Sequence, residues 1–269
     1  MDNRTEIIRE VKKVLEFYRE LGFKRLPVKL NPDSLMSDVL APKNQNNEVP
    51  YFQVSEAKSD FNLTKEDNNN PDKPPSPPFD KGGLGGFKEQ AVNELMKEIG
   101  DCKRCRLSGG RKNIVFGTGD PDAKIMFIGE GPGREEDIQA KPFVGDAGTV
   151  LTNLIKKMGF QRENVYIANV VKCRPPLNRD PEEDEIASCS PFLVRQIEII
   201  MPRVIVALGR ISAHYLTGSK IPITRLRGAF HEFRGIPVMP TFHPAYLLRN
   251  PKDKWLTWGD AQKVLEKLK

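Results

Sequence analysis

Four cysteines are the residues whose types and spacing most plainly suggest chemistry. Cys102 and Cys105 form a CxxC pair, Cys173 follows after 67 intervening residues, and Cys189 follows after 15 more. Four thiolates can hold a tetrahedral zinc ion or an iron–sulfur cluster. A zinc ribbon would normally pair two CxxC knuckles, and a thioredoxin-type CxxC would open a strand–helix unit. The spacing therefore predicts a metal site formed by all four cysteines and leaves zinc and iron open.

A second group of candidate residues follows the apolar run Ile125–Ile128. That run predicts a strand buried on both faces, and the glycine-rich turn at 129–133 would let a ligand approach its carboxyl end. Glu130 in the turn and Phe143 beyond it are therefore predicted to line a pocket, the plain alternative being an acidic surface turn. The turn is not a dinucleotide fingerprint, because Glu136 stands where the third glycine of GxGxxG would be.

Two further polar residues follow predicted strands. Asn169 lies within the run 165–171, and its amide offers one donor and one acceptor group to a planar ligand. His243 follows the predicted strand at 238–241 and precedes a proline. Either residue alone would usually be structural. Together with Glu130 and Phe143 they predict one site at one edge of a sheet.

The elements that must position these residues alternate between α and β. This order predicts an α/β fold, a three-layer αβα sandwich around a mostly parallel four-stranded sheet. The expected main strands are 124–129, 165–171, 204–208 and 238–241, with a short extra strand at 229–233. The expected helices are 88–99, 147–158, 210–216, 255–268 and one from Asp180, as N-cap, to about residue 200.

The amino-terminal third differs from the rest. Residues 1–40 contain an amphipathic helix over 4–21, which either docks on the main domain or binds a protein partner. Residues 41–86 hold seven prolines and few apolar residues, so they are predicted to form a disordered linker. A single ordered domain is expected over 87–269.

Composition excludes some classes of protein. The chain has 269 residues and a net charge of +6, which is compatible with a polyanionic partner. No apolar stretch approaches the ~20 residues that span a bilayer, and the amino terminus lacks a signal-peptide core. We expect a cytoplasmic monomer with no membrane contact.

At this point the motifs resemble those of a known family, the family 4 uracil-DNA glycosylases. The resemblance covers about 87–269 and rests on GEGPG (129–133), KPFVGDAG (141–148), NVVKCRPP (169–176) and HPAYLLR (243–249). The four cysteines match that family's [4Fe–4S] ligand pattern. The first motif is often GEAPG, so Gly131 is a small-for-small replacement within the substrate-binding turn. Residues 1–86 depart from the compact members.

The resemblance implies a repair enzyme that flips uracil out of single- or double-stranded DNA and hydrolyses its N-glycosidic bond. Phe143 would stack on the base, Asn169 would bond its polar edge, and Glu136 would crowd C5 and exclude thymine. His243 would donate a hydrogen bond to O2 of the leaving uracil. Glu130 would stabilise the cationic sugar or orient water.

The resemblance also implies DNA contacts after His243. Leu247 and Leu248 would wedge into the vacated stack, and Arg249 would hold a phosphate. A related branch that links covalently to uracil carries an Arg-rich insert with its own His, and residues 224–228 lack that His. Hydrolytic turnover is therefore expected.

Two other functions fit parts of the pattern. A non-catalytic iron–sulfur or zinc protein that binds nucleic acid, or senses redox state, would explain the cysteines and the charge. A glycosylase for another deaminated base, such as hypoxanthine, would use the same site.

Overall fold

A six-stranded sheet forms the centre of the computed structural model, which describes residues 84–269. Its strands in chain order are β1 (Thr118–Gly119), β2 (Ile125–Gly129), β3 (Tyr166–Asn169), β4 (Val204–Leu208), β5 (His231–Phe233) and β6 (Ile236–Thr241). Their spatial order is β1-β3-β2-β4-β6-β5. The helix predicted over 4–21, its partner role and the linker up to residue 83 lie outside the described residues.

The four inner strands are parallel, as the alternation of elements predicts. β3, β2, β4 and β6 pair in parallel, whereas β1 and β5 pair antiparallel at the two edges. The expected count of four is therefore corrected to six. The extra strand near 229–233 is confirmed as β5, but β1 has only two residues, too few to carry a periodic signal.

Helices cover both faces of this sheet. Those of the described residues are α1 (Leu84–Ile99), α2 (Arg134–Gln139), α3 (Asp146–Lys157), α4 (Glu183–Ile200), α5 (Arg210–Thr217), α6 (Ile223–Leu226), α7 (Pro244–Arg249) and α8 (Lys254–Leu268). Among them none is long and apolar enough to cross a membrane. The expected linker is corrected at its end, because residues 84–86 belong to α1; their glycines lower helix propensity and disguise the start.

Alternate residues of β2 separate the core into two layers. Ile125 and Phe127 pack with Leu151 of α3 and Val264 of α8. Met126 and Ile128 instead pack with residues of α4 and α5, including Leu193, Ile197 and Leu216. Since successive side chains of a strand point to opposite faces, one apolar strand serves both layers. The αβα sandwich is thereby confirmed.

The start of α4 differs from the prediction. Glu182, not Asp180, is the N-cap, and its own backbone N–H donates to the Glu185 carboxylate at 2.8 Å in a capping box. Asp180 instead pairs with Arg210 at the start of α5. The helix continues through Pro191 without a break.

Candidate active site

A cavity of about 420 Å³ opens at the carboxyl ends of the parallel strands. Gly129 and Asn169, the last residues of β2 and β3, are register partners there, and β6 ends beside β4 at Thr241. The cavity is lined by seven residues that the sequence predicted: Glu130, Gly131, Glu136, Phe143, Asn169, His243 and Arg249. Parallel strands thus bring distant motifs together at one sheet edge, as expected for α/β folds.

Asn169 is the most informative residue of the cavity. It is only 1 % exposed, yet neither Nδ2 nor Oδ1 has a hydrogen-bond partner in the described part of the chain. Its main-chain oxygen is held, accepting from Lys172 Nζ at 2.9 Å. A buried amide without partners costs free energy, so an unsatisfied donor and acceptor in a cavity wall indicate a ligand that satisfies both.

Phe143 forms an aromatic wall beside Asn169. Its backbone is in the left-handed region with φ of 52°, and its ring centroid lies 5.6 Å from that of His243. A Cβ added to Gly129 would lie 2.5 Å from Phe143 Cζ and closer still to Asn169 Oδ1. Gly129 is therefore required by the close approach of these two side chains.

Glu136 holds the loop that carries Phe143. Its Oε1 accepts from the backbone N–H groups of Val144 and Gly145, at 2.9 and 3.1 Å. The sequence did not predict this anchoring contact. The role expected for Glu136 in excluding thymine stays a prediction.

His243 has a defined tautomer. Its Nδ1 accepts from the backbone N–H of Ala245 at 3.1 Å and so caps α7. The proton of the neutral ring is therefore on Nε2. Burial lowers the pKa of His243 to about 4, with Arg249 acting in the same direction and Glu136 against it. At neutral pH the imidazole is thus an uncharged donor.

The pKa of Glu130 is shifted upwards, in the direction opposite to that of His243. Burial raises its pKa to about 7, the Asp180 carboxylate raises it further, and Arg210 opposes the shift. A carboxyl group poised near neutrality in a cleft is characteristic of acid–base or electrostatic work at an active site.

Helix α7 presents one leucine to the core and one to solvent. Leu247 is 2 % exposed and faces Leu151 and Leu154 of α3 across a small apolar space. The prediction that Leu247 contacts DNA is therefore corrected, because its side chain is buried in the core. Leu248 is 44 % exposed and Arg249 lies at the cavity mouth. Successive helical residues point about 100° apart, which a Leu-Leu pair in a sequence does not reveal.

The sequence did not predict the part of the cavity wall that follows β3. Residues after β3 contribute Pro175, Asn178 and Arg179 to the cavity. Asn178 and Arg179 stand just beyond the NVVKCRPP motif, and the signal that could have found them is the run of polar residues that continues it.

The four thiols lie in one region beside this wall. Cys173 and Cys189 are buried, and Cys102 and Cys105 are half-buried. Burial raises the pKa of Cys173 to about 12, opposed by Arg111 and reinforced by the charges of Cys189 and Cys105. Burial also raises the pKa of Cys189, and the charges of Cys105 and Cys102 add to it. These charge effects place Cys102, Cys105 and Cys173 near Cys189.

Hydrogen-bond donors contact three of the four cysteine sulfurs. No three His, Cys, Asp or Glu side chains within residues 84–269 form a group that could hold one metal ion. Three N–H groups point at the sulfurs, as donors do around clusters: Arg104 to Cys102 (3.2 Å), Arg111 to Cys173 (3.5 Å) and the Lys172 backbone to Cys189 (3.2 Å).

Several known proteins are similar to this chain over most of their own length. The family profile described as the uracil DNA glycosylase superfamily matches residues 116–269. Type-4 uracil-DNA glycosylases of Saccharolobus solfataricus, Thermotoga maritima and Sulfurisphaera tokodaii are 51 %, 49 % and 48 % identical to the chain. These alignments cover 65 %, 61 % and 65 % of this chain and 85 %, 86 % and 84 % of the relatives.

The profile spans more than half of the chain, and it includes the cavity and two of the four cysteines. The relatives are matched over most of their own length. The chain belongs to the uracil-DNA glycosylase superfamily, in its type-4 branch.

Proposed function

We propose that this protein is a DNA-repair glycosylase that hydrolyses the N-glycosidic bond of uracil in DNA and leaves an abasic site. The observation that carries the proposal is the buried Asn169 amide, whose donor and acceptor are both unsatisfied in a cavity walled by Phe143 and His243. The names of the type-4 relatives support it.

Recognition follows from the groups that uracil presents. The base must leave the stack, at a cost of a few kcal/mol, before it can enter the cavity. Phe143 offers a face for stacking. Asn169 Nδ2 would donate to O4 while Oδ1 accepts from N3–H. Cytosine carries an amino group in place of O4. Its N–H donors would face the N–H donors of Asn169 Nδ2, so this base leaves buried polar groups unpaired.

Cleavage places the electron pair of the C1′–N1 bond on the departing uracil and leaves oxocarbenium character on the sugar. His243 Nε2–H would donate to O2 as negative charge develops there, without transferring its proton. The Glu130 carboxylate would face the cationic sugar, or orient the water whose oxygen adds to C1′ and whose proton is released.

Single-turnover cleavage of oligonucleotides tests the proposal directly. The substrates carry uracil, thymine, cytosine or hypoxanthine at one position, in single strands and in duplexes. We expect abasic sites at uracil alone. Release of hypoxanthine in preference to uracil would assign a different base to the cavity. No release of any base by folded, iron-loaded protein would favour a binding or redox role.

We further propose that Cys102, Cys105, Cys173 and Cys189 hold a [4Fe–4S] cluster. When bound, it supplies a structural cross-link between the CxxC segment, the chain after β3 and helix α4. Cys173 stands four residues beyond Asn169, so the cross-link would stabilise the segment that follows the base-reading amide.

Replacing Cys189 with Ser tests the cluster. We expect loss of iron and sulfide and a fall in Tm of about 10 °C, because a cross-link coupled to folding is lost. The neighbouring Ser188→Ala, which removes a hydroxyl that donates to Asp184 O at 2.8 Å, is the control and should keep both. An anaerobically purified, colourless wild-type protein with one zinc per chain would refute the cluster.

The pH dependence of cleavage tests Glu130. Ionisation with a pKa of about 7 predicts that the single-turnover rate rises with pH through neutrality. The contribution of Glu130 to stability should move the other way: the folded state binds this proton more tightly than the unfolded chain, so this contribution falls as pH rises from about 4.5 towards 7, and the difference in stability between wild type and Glu130→Gln measures it. The buried His243, with its pKa lowered from 6.5 to about 4, contributes to stability with the opposite sign below about pH 6.5 and stays neutral around pH 7, where the rate is expected to rise.

Glu130→Gln should abolish this dependence and lower the rate at pH 8, whereas the exposed Glu135→Gln should keep the wild-type profile. A flat profile in the wild-type protein would remove ionised Glu130 from the chemistry.

A further inference from the structure

Leu177 lies at the tip of the loop between β3 and α4, and both its exposure and its backbone conformation are energetically unfavourable for a leucine. Its side chain is 97 % exposed, and its backbone is left-handed with φ of 54°. An exposed leucine gains nothing from burial, and the left-handed region disfavours any residue with a branched side chain in place of glycine or asparagine. Neither packing nor backbone preference within the described chain accounts for a leucine here.

The loop holds this leucine rigidly. Its backbone closes through bonds from Asn178 N to Pro175 O and from Arg179 N to Pro176 O, both 3.1 Å. Arg174 Nε donates to Asn178 Oδ1 at 2.7 Å.

The loop is also fixed to the core beneath it. Arg179 makes a bidentate pair with the fully buried Glu185 carboxylate, at 2.7 and 2.8 Å. Bidentate pairs of this kind fix orientation as well as distance. A side chain displayed on a rigid, anchored loop loses little entropy when it meets a partner.

The position of the loop identifies that partner. Pro175, Asn178 and Arg179 line the uracil cavity, so Leu177 lies on its rim. The loop follows β3, whereas Leu248 belongs to α7 after β6, and β2 and β4 lie between those strands. Each side of the cavity therefore carries an exposed leucine. DNA that delivers a base into the cavity must pass both.

We propose that Leu177 is a second apolar DNA contact, which packs against the exposed base faces beside the extruded uracil on the side opposite Leu248. The inference rests on the proposed function and extends it: a duplex is opened between two leucines. Apolar side chains serve as such wedges where proteins unstack base steps. The contribution should matter most in duplexes, where the neighbouring bases and the opposite strand would otherwise close the gap.

Leu177→Asn is the variant of choice, because asparagine tolerates the left-handed backbone and Tm should be equal or higher. Met201→Asn is a matched control, because Met201 is also apolar, 70 % exposed and left-handed with φ of 49°. It lies between the end of α4 and the start of β4, at the amino ends of the parallel strands, whereas the cavity lies at their carboxyl ends. We expect Leu177→Asn to lower kcat/KM on duplex uracil substrate about tenfold, the worth of burying one leucine. Cleavage of single strands should change less than about twofold, and Met201→Asn should leave both unchanged.

A second readout is the fluorescence of 2-aminopurine placed beside the uracil in the duplex, which rises when the base unstacks. Its rise on binding should be smaller with Leu177→Asn. Equal losses on duplex and single strand, or no loss on either, would overturn the inference, and the latter would leave Leu177 to a protein partner. If the wild-type protein cleaves uracil while Leu177→Asn is indistinguishable from it, only this inference fails; if the wild type does not cleave, the proposed function itself fails.

Discussion

Asn169→Asp should lower kcat/KM for uracil by about 10⁴-fold, the loss typical when a site built around polar pairing meets the wrong partner. The carboxylate cannot donate to O4, and it would be buried where the amide is 1 % exposed. It can accept from the amino group of cytosine. We therefore expect weak cytosine release to appear as uracil release falls. Single-turnover cleavage of the two substrates by one preparation measures both effects.

Stability gives this prediction its control. Asn169→Ala should abolish uracil cleavage with little change in the free energy of unfolding, because the amide makes no bond in the described chain. Gln196 is as deeply buried but fully bonded: Nε2 donates to Phe116 O at 2.9 Å, and Oε1 accepts from Lys172 Nζ at 2.6 Å. Gln196→Ala should cost about 3 kcal/mol, because it leaves a buried ammonium short of an acceptor. A comparable loss in Asn169→Ala would make Asn169 structural.

The parts of this fold that could be predicted are those where one physical requirement dominates. β2 and β4 are buried on both faces, so they must be apolar throughout, and their bounds follow from the sequence within a residue. The motif residues follow strand ends, and parallel pairing necessarily gathers such ends at one edge. The shared location of Glu130, Phe143, Asn169 and His243 in one cavity is therefore predictable from the sequence.

The parts that could not be predicted depend on competition between similar residues. Asp180 and Glu182 are both acceptable caps, and the contacts that Glu185 makes with Arg179 and the Glu182 backbone decide between them. Leu247 and Leu248 are chemically identical, and only the packing of α7 on α3 separates the buried one from the exposed one. The left-handed backbone at Leu177 contradicts the local preference of its residue type, which is why only the structure reveals it.

His243→Ala should lower the single-turnover rate by about 10²- to 10³-fold with a much smaller change in KM. One preorganised donor aimed at a developing oxyanion is worth this much, because its bond strengthens only as charge appears. The measurement is the rate of abasic-site formation at saturating enzyme. Alanine also removes the cap that Nδ1 provides to the Ala245 N–H, which should cost ~1 kcal/mol of stability.

His243→Asn separates the two roles of this side chain. Asparagine is among the best N-caps, so it should restore the stability lost in His243→Ala, but its shorter amide does not carry a donor to the place of Nε2. We expect wild-type Tm together with a rate as low as that of alanine. Recovery of the rate in step with Tm would show that His243 acts only through α7. An acidic limb near pH 6.5 that disappears in both variants would contradict a neutral donor, because a ring with a pKa of about 4 has lost its charge well below that point.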